Sequence, residues 1–515
     1  MLALTDPAPR DCANAGARFR RNSSNPMDRP RRNLRRALDE LRRLALPSGV
    51  MGIRTWAALA LTAAALLSAQ QVDFRGEVVK EQPKRIIAIP DLRAAGDAQQ
   101  FMAAFNQTLW GDIADSGIVT MAAKTLYPTF IPQQPADFQQ PAAPAELPKS
   151  KHAGEMLATP TGGGRWMSDW SGPPVSANYL AFGYAAIQND VFVAYGYFFD
   201  LHLDTPARAQ VIGSRYLGSA DEAGARKAAH AFAADILAEL GGKSLFGTHI
   251  YFVSDRTGHK EIWVMDPDGS NQKQITKFNF IATAPAVSPD GSKIACTAYP
   301  GEGKPARIYL FSVDPLRQLT FYNPAGNYAA HPSFTPDGKQ IVFDSSADDG
   351  YRIYIANVDG GGAHPVNLSK SIQVEPKVNP RNPALIAFTS DRSGTPQIYT
   401  MNSDGGDPER LTNGIGEAVN PAWNQDGEHL AFAWTQGYAP GSFNIFVMEV
   451  ASHQYVQLTK AAGKNENPAW APDGVHIAFS SNRSGSYQIW TTLFSGAQVR
   501  QLTTQGNNSS PVWGQ

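Results

Sequence analysis

Disulfide chemistry is nearly absent from this chain, whose 515 residues include only two cysteines, Cys12 and Cys296. A cystine-stapled fold is excluded, so stability must come from a large hydrophobic core. Long hydrophobic runs are missing too. The longest apolar-leaning stretch, Thr55 to Leu67, has thirteen residues, short of the ~20 that span a bilayer as a helix. Catalytic signatures are lacking as well. There is no Gly-x-Ser-x-Gly, which disfavours a prolyl-oligopeptidase-like hydrolase. The ten histidines are scattered without a His-x-x-x-His pair, so neither a metal site nor a cofactor is expected. Net charge is close to nil, with 45 basic against 46 acidic side chains.

That balance conceals a segregation. Residues 1–69 hold twelve arginines, no lysine and five acids, leaving 33 basic and 41 acidic groups for the rest. A body with net charge near −8 is a poor partner for nucleic acid, where affinity comes from neutralised phosphates. Residues 1–50 show no sustained core pattern and read as an over-extended start. Residues 51–69 read as a secretory signal: Arg54, the apolar run, then Leu67-Ser68-Ala69 with cleavage near Ala69. A retained membrane anchor is the alternative. Export with cleavage there would leave Cys296 as the one thiol, inside the apolar run 293–298 and expected to be a buried small hydrophobe.

What is abundant is punctuation, with 45 glycines and 37 prolines, and from residue 248 onwards it is periodic. A proline recurs at 285, 332, 376, 421, 468 and 511. A β-branched and aromatic pair recurs at Ile262-Trp263, Ile308-Tyr309, Ile353-Tyr354, Ile398-Tyr399, Ile445-Phe446 and Ile489-Trp490. A closing pair recurs at Ile275-Thr276, Leu319-Thr320, Leu368-Ser369, Leu411-Thr412, Leu458-Thr459 and Leu502-Thr503. A period of 43–47 residues rich in short alternating strands predicts propeller blades of four strands, a to d. Strand a is expected after each proline. Asp-Gly turns such as 290–291 and 426–427 close the a–b hairpins, because glycine supplies the positive φ that tight reversals need. The first unit begins at strand b and a lone strand a ends the chain at Pro511-Val-Trp513. A six-bladed β-propeller with three-plus-one strand closure therefore spans 248–515, leaving no open edge.

Residues 85–245 lack the repeat and alternate between strand and helix, which predicts an α/β domain. Arg85 to Pro90 reads as a buried strand, and Asp97 to Gly117 as an amphipathic helix with Phe101, Phe105, Leu109 and Ile113 on one face. Tyr179–Ile187 and Val191–Leu203 read as a hairpin. Ser219-Ala-Asp-Glu222 reads as a capping box opening a second helix. The Pro- and Gly-rich residues 133–178 are expected to be a long surface loop.

The whole layout resembles the TolB family of the Tol–Pal system. The resemblance rests on Ile89-Pro-Asp-Leu92, Ile131-Pro-Gln-Gln-Pro135, Ala229-His230 and Lys243-Ser-Leu-Phe-Gly-Thr248, followed by the six repeats. It implies a non-enzymatic periplasmic scaffold supporting outer-membrane integrity and cell division. Such a scaffold would bind a peptidoglycan-associated lipoprotein (Pal) at the propeller mouth and TolA through a flexible segment, here residues 70–84. The 133–178 stretch departs from the family pattern. A monomer is expected.

In an up-and-down blade the b–c loops and d–a connections share one face and the Asp-Gly turns the other. The partner-binding candidates are the residues before each repeated proline, Ala284, His331, Glu375, Asn420, Asn467 and Ser510. They differ between blades, as an asymmetric rim would. Capping of the inner strands is the competing role. Asp255, Arg256, Asp391, Arg392 and Arg483 lie on the same face, where a local Asp/Arg loop lock competes with partner contact. An enzyme or a small-ligand or peptide binder using the central channel is the alternative function, with His331 and Glu375 as the residues to watch.

Overall fold

The computed structural model describes residues 85–139, 163–323, 328–346, 350–460 and 462–515. The Arg-rich extension, the signal segment, residues 70–84 and the middle of the 133–178 stretch lie outside the described residues.

The first unit is a mixed sheet. β1 (Ile86–Ala88) runs parallel to β3 (Thr120–Met121) and β4 (Tyr179–Gln188), and β2 (Arg93–Ala94) extends the β1 edge of β4. β4, β5 (Val191–Asp200) and β6 (Gln210–Ser219) form an antiparallel meander. The predicted first helix is a 3-10 turn, Gly96–Phe101, leading into α1 (Met102–Asp115). Phe105, Leu109 and Ile113 of α1 pack with Phe192, Phe198, Phe232 and Ile236 on one face of the sheet. Gly196 is required there, since a Cβ would sit 2.8 Å from the Phe232 ring.

Two local expectations are corrected. The residues around α2 (Ser168–Ser171) are not a loose surface loop, because Phe138, Met167, Trp170 and Val175 cover the opposite face of the sheet against Leu180, Phe182 and Phe199. Their apolar side chains find a sheet face that the sequence pattern does not announce. The cap of α3 (Glu222–Glu239) is Asp221 rather than Ser219: Gly224 N–H donates to its carboxylate at 2.7 Å, and Ser219 Oγ steadies that carboxylate at 2.7 Å.

Six four-stranded antiparallel sheets follow, and the last strand, Asn508–Gly514, joins the strands 249–254, 261–265 and 273–274. We number the blades from this closing sheet. Blade 2 starts at Ile281, blade 3 at Ala329, blade 4 at Gln373, blade 5 at Ala418 and blade 6 at Asn465. The landmarks now have physical causes. The threonine after strand d accepts the N–H of the landmark isoleucine in four blades: Thr276 from Ile262, Thr412 from Ile398, Thr459 from Ile445 and Thr503 from Ile489, at 2.8–2.9 Å. The closing pair is shifted in the other two. In blade 2 Asn323, not Thr320, accepts from Ile308 at 2.9 Å. In blade 4's predecessor Val366 donates its N–H to Ile353, as Leu411 does to Ile398, so the structural pair is Val366-Asn367. Leu368, which imitates the motif, is 76% exposed. Trp423, Trp470 and Trp513 are core residues, as expected, and the first two tie blades together by donating to Lys377 and Ala422 carbonyls at 3.1 Å. Cys296 is fully buried, and burial raises its thiol pKa.

The two units meet at the turn face of blade 6. His476 Nε2 lies 2.8 Å from the Asp115 carbonyl oxygen, Gln498 Nε2 donates to the Ala114 carbonyl at 3.3 Å, and Arg500 pairs with Asp115 at 3.3 Å. Among the described residues no helix is long and apolar enough to cross a membrane.

Candidate functional site

Each strand a begins before its proline, not after it. The proline has no N–H for the ladder, and every strand a shifts register there: between Thr283 and Ala286, Ala330 and Ser333, Val374 and Lys377, Val419 and Ala422, Glu466 and Ala469, Ser509 and Val512. The residue at each bulge is one of the six candidates, Ala284, His331, Glu375, Asn420, Asn467 or Ser510, with φ between +46° and +57°. They therefore stand in the channel wall within the strand, all half-buried, rather than on the connection leading into it.

Each such residue turns its N–H away from its own ladder, and five of the six find an acceptor on the preceding blade. His331 N–H donates to Thr297 Oγ1 at 3.0 Å, Glu375 N–H to Asp344 at 3.2 Å, Asn420 N–H to Glu375 at 2.8 Å, Asn467 N–H to Asn420 Oδ1 at 3.3 Å, and Ser510 N–H to Ser480 Oγ at 3.0 Å. Three of these acceptors, Thr297, Asp344 and Ser480, occupy the same register of strand b, each facing the landmark isoleucine of strand c. Thr389 and Ala433 hold that register in blades 4 and 5. Ala433 has no acceptor to offer, so the Asn420 side chain serves the next blade instead. Val253 stands at that register before Ala284. Sequence reasoning missed this inner set. Aligning the six strands b would have found it, since a polar residue recurs at one position of an otherwise apolar strand.

The structure joins some candidates and separates others. Asp344, fully buried, receives His331 Nδ1 at 2.8 Å as well as the Glu375 N–H. Glu375 accepts Asn420 Nδ2 at 2.6 Å and Thr389 Oγ1 at 2.9 Å. Lys377 lies two residues on. Burial acts to lower the His331 pKa, but Asp344 and then Glu375 outweigh it and leave it raised. Burial lowers the Lys377 pKa, opposed by the same two carboxylates. Of the six candidates only His331 and Glu375, on blades 3 and 4, are titratable, while Ala284, Asn420, Asn467 and Ser510 bring no charge. Glu466, beside Asn467 on blade 6, adds a carboxylate whose pKa burial raises and which also feels Glu375. Among the described residues no three His, Cys, Asp or Glu side chains group as a metal site needs.

The loop residues form three equivalent locks. Nε of Arg256, Arg392 and Arg483 donates to Ser254, Ser390 and Ser481 at 2.9, 3.2 and 3.0 Å. Their guanidinium groups stack over Trp263, Tyr399 and Trp490 at 4.5–4.8 Å. Asp255 accepts the Asn507 N–H at 2.7 Å and Asp391 the Ile372 N–H at 2.9 Å, fastening the d–a connections.

These features define a class: a closed six-bladed propeller behind a mixed α/β sheet, with half-buried, mostly polar side chains at the strand-a bulges. The chain belongs to the TolB propeller family, since the profile described as "TolB beta propeller domain" matches residues 239–437 and 412–515. It is 33% identical over 193 residues to the "Protein TolB homolog" of Chlorobium luteolum, covering 37% of this chain and 42% of that protein. It is 31% identical over 206 residues to the "Tol-Pal system protein TolB" of Bordetella pertussis, covering 40% and 46%. The chain thus spans less than half the length of these curated relatives. The crystal structure of TolB from Acinetobacter baumannii shares the fold, with a TM-score of 0.66 and 20% identity over 84% of this chain and 97% of that one.

Proposed function

We propose that this protein is a non-enzymatic periplasmic scaffold of the Tol–Pal envelope system. In this reading it holds a Pal-like lipoprotein at the channel mouth and engages a TolA-like inner-membrane protein through residues 70–84, supporting outer-membrane integrity and cell division. The observation that carries the reading is the division of the propeller's two faces. The end of α1 in the α/β unit meets the Asp-Gly turn face at His476 and Arg500, and the face bearing the b–c loops and d–a connections is left for a partner. The family membership supplies the partner's identity. Side chains that differ from blade to blade on a common backbone suit recognition of an asymmetric protein surface better than turnover of a small substrate.

The test is cross-linking in intact envelopes, with His331, Glu375 and Asn420 each changed to Ala and folding checked by thermal unfolding. Recovery of a peptidoglycan-bound lipoprotein by the parent, reduced at least tenfold in folded variants, is expected. Turnover of a small substrate with no lipoprotein recovered would overturn the reading in favour of a channel enzyme.

A further inference from the structure

Six blades built on one plan should agree wherever only the plan is at stake, so a position where one blade departs answers to another demand. The residues whose N–H groups donate to the landmark isoleucine carbonyls, Ile275, Val366, Leu411, Leu458 and Leu502, put five d–a connections in register. Two positions further on stand Lys277, Leu368, Asn413, Lys460 and Thr504. Four are polar, and Leu368 is the exception at 76% exposure. Four positions further on stand Asn279, Lys370, Ile415, Ala462 and Gly506. Here Ile415 is the one large apolar side chain, at 85% exposure. No other large hydrophobic among the described residues is as exposed as these two.

Both lie beside blade 4, Leu368 on the connection leading into it and Ile415 on the connection leading out. Both belong to the face opposite the α/β sheet. Their backbones are fixed, not loose: Ser369 carbonyl accepts Arg352 Nε at 3.1 Å, and Ile415 N–H donates to Gln436 at 2.8 Å. Neither side chain has an intramolecular cover, and exposing both costs solubility with no return to the fold. Two residues beyond Ile415 stands Glu417. It is half-buried, its side chain has no hydrogen-bond or ion-pair partner among the described residues, and burial alone raises its pKa. A carboxylate set beside an apolar anchor without its own cation complements a basic group brought from outside. Asp344 and Glu375 stand on blades 3 and 4, beside the same connections.

We propose that Leu368 and Ile415 are the apolar anchors of an off-centre docking surface straddling blade 4. Its occupant is a folded protein partner whose apolar ridge is flanked by a lysine or arginine that pairs with Glu417. The surface rests on the scaffold reading for the partner's identity, though not for its own chemistry.

The test titrates the full-length protein with the soluble domain of the peptidoglycan-associated lipoprotein of the same organism. Leu368→Asp and Ile415→Asp should each weaken binding at least tenfold without moving the thermal midpoint, since both side chains are solvent-exposed. Lys277→Asp and Lys460→Asp, at the equivalent of the Leu368 position on other connections, should change it less than threefold. Glu417→Gln should flatten the salt dependence, and Glu417→Lys should be rescued by charge reversal of one basic residue on the partner. Binding that is tight in the parent and equally tight in both Asp variants overturns the docking surface and leaves the scaffold reading standing. If the lipoprotein does not bind the parent at all, the scaffold reading fails. The surface is then judged by a photo-crosslinker at 368 and 415 against 277 and 460 in intact envelopes. A protein adduct confined to the first pair and diminished by Glu417→Gln supports it, and adducts that are absent or equal at all four sites overturn it.

Discussion

A left-handed backbone at a non-glycine residue costs about 1–3 kcal/mol, and the strand-a bulges of the propeller hold six of them. In five of the six the cost is offset because the bulge frees an N–H that the preceding blade binds, which converts local strain into a circumferential link. Asp344 is the most demanding of these links, since it accepts from both His331 and Glu375 while fully buried. Asp344→Ala would strand both donors and should lower stability by about 3 kcal/mol, measured by urea unfolding. His331 adds a pH dependence of fixed sign. Its folded pKa is raised above the unfolded value of about 6.5. Its contribution is therefore fully present below that value and is lost as pH rises through the folded pKa. The stability difference between the parent and His331→Gln should shrink as pH increases from about 6.5 to 9. A difference that stays constant, or grows, would show that Asp344 does not hold the imidazolium. None of this was open to sequence reading, which saw a variable residue before a proline and could not see that the chain reverses its φ there.

Blade order and strand number were legible because they rest on repeated chemistry: apolar alternation, Asp-Gly reversals and a proline at one register. What was not legible lies where a different residue performs the same task. Leu368-Ser369 looks like Leu411-Thr412, yet the bond to Ile353 is made by Val366, and Asn323 replaces a threonine in blade 2. Strand d is only two residues long in most blades, so a shift of two positions forfeits little pairing and leaves no periodic trace. The α/β unit shows the same limit, since Asp221 does the capping that Ser219 resembles. The hydroxyl after strand d should be costly to lose. Thr412 Oγ1 accepts from Ile398 at 2.9 Å and donates to Gln397 at 2.7 Å, both in buried surroundings. Thr412→Val should therefore cost about 1–3 kcal/mol. Leu368→Ala, the motif's false match, should change stability by less than about 0.5 kcal/mol. If the two substitutions cost the same, the hydrogen-bond register is not what distinguishes the real landmark from its imitation.

Across the whole molecule, closure is the one strand pairing of the propeller whose two sides are far apart along the chain. Strand 508–514 pairs with 249–254, so the segment between them must be ordered before the last sheet is complete, and the entropy of that long loop opposes the pairing. Trp513 is the side chain that holds it, buried in blade 1 with its indole N–H donated to Thr248 Oγ1 at 2.9 Å. Trp423 offers a control, being equally buried and bonded to a neighbouring blade, but on a strand flanked by sequence-adjacent partners. Trp513→Ala and Trp423→Ala should each cost about 3–5 kcal/mol globally. They should differ in what opens first. In Trp513→Ala the closing strand can leave while blades 2 to 6 stay paired, so amides of 250–254 and 509–514 should exchange at least tenfold faster than those of 386–390, a sub-global opening. In Trp423→Ala no such local gain is expected, because losing that strand breaks a blade from within. Uniform acceleration in both variants would mean that the ring unfolds as one unit and that closure is not its weakest seam.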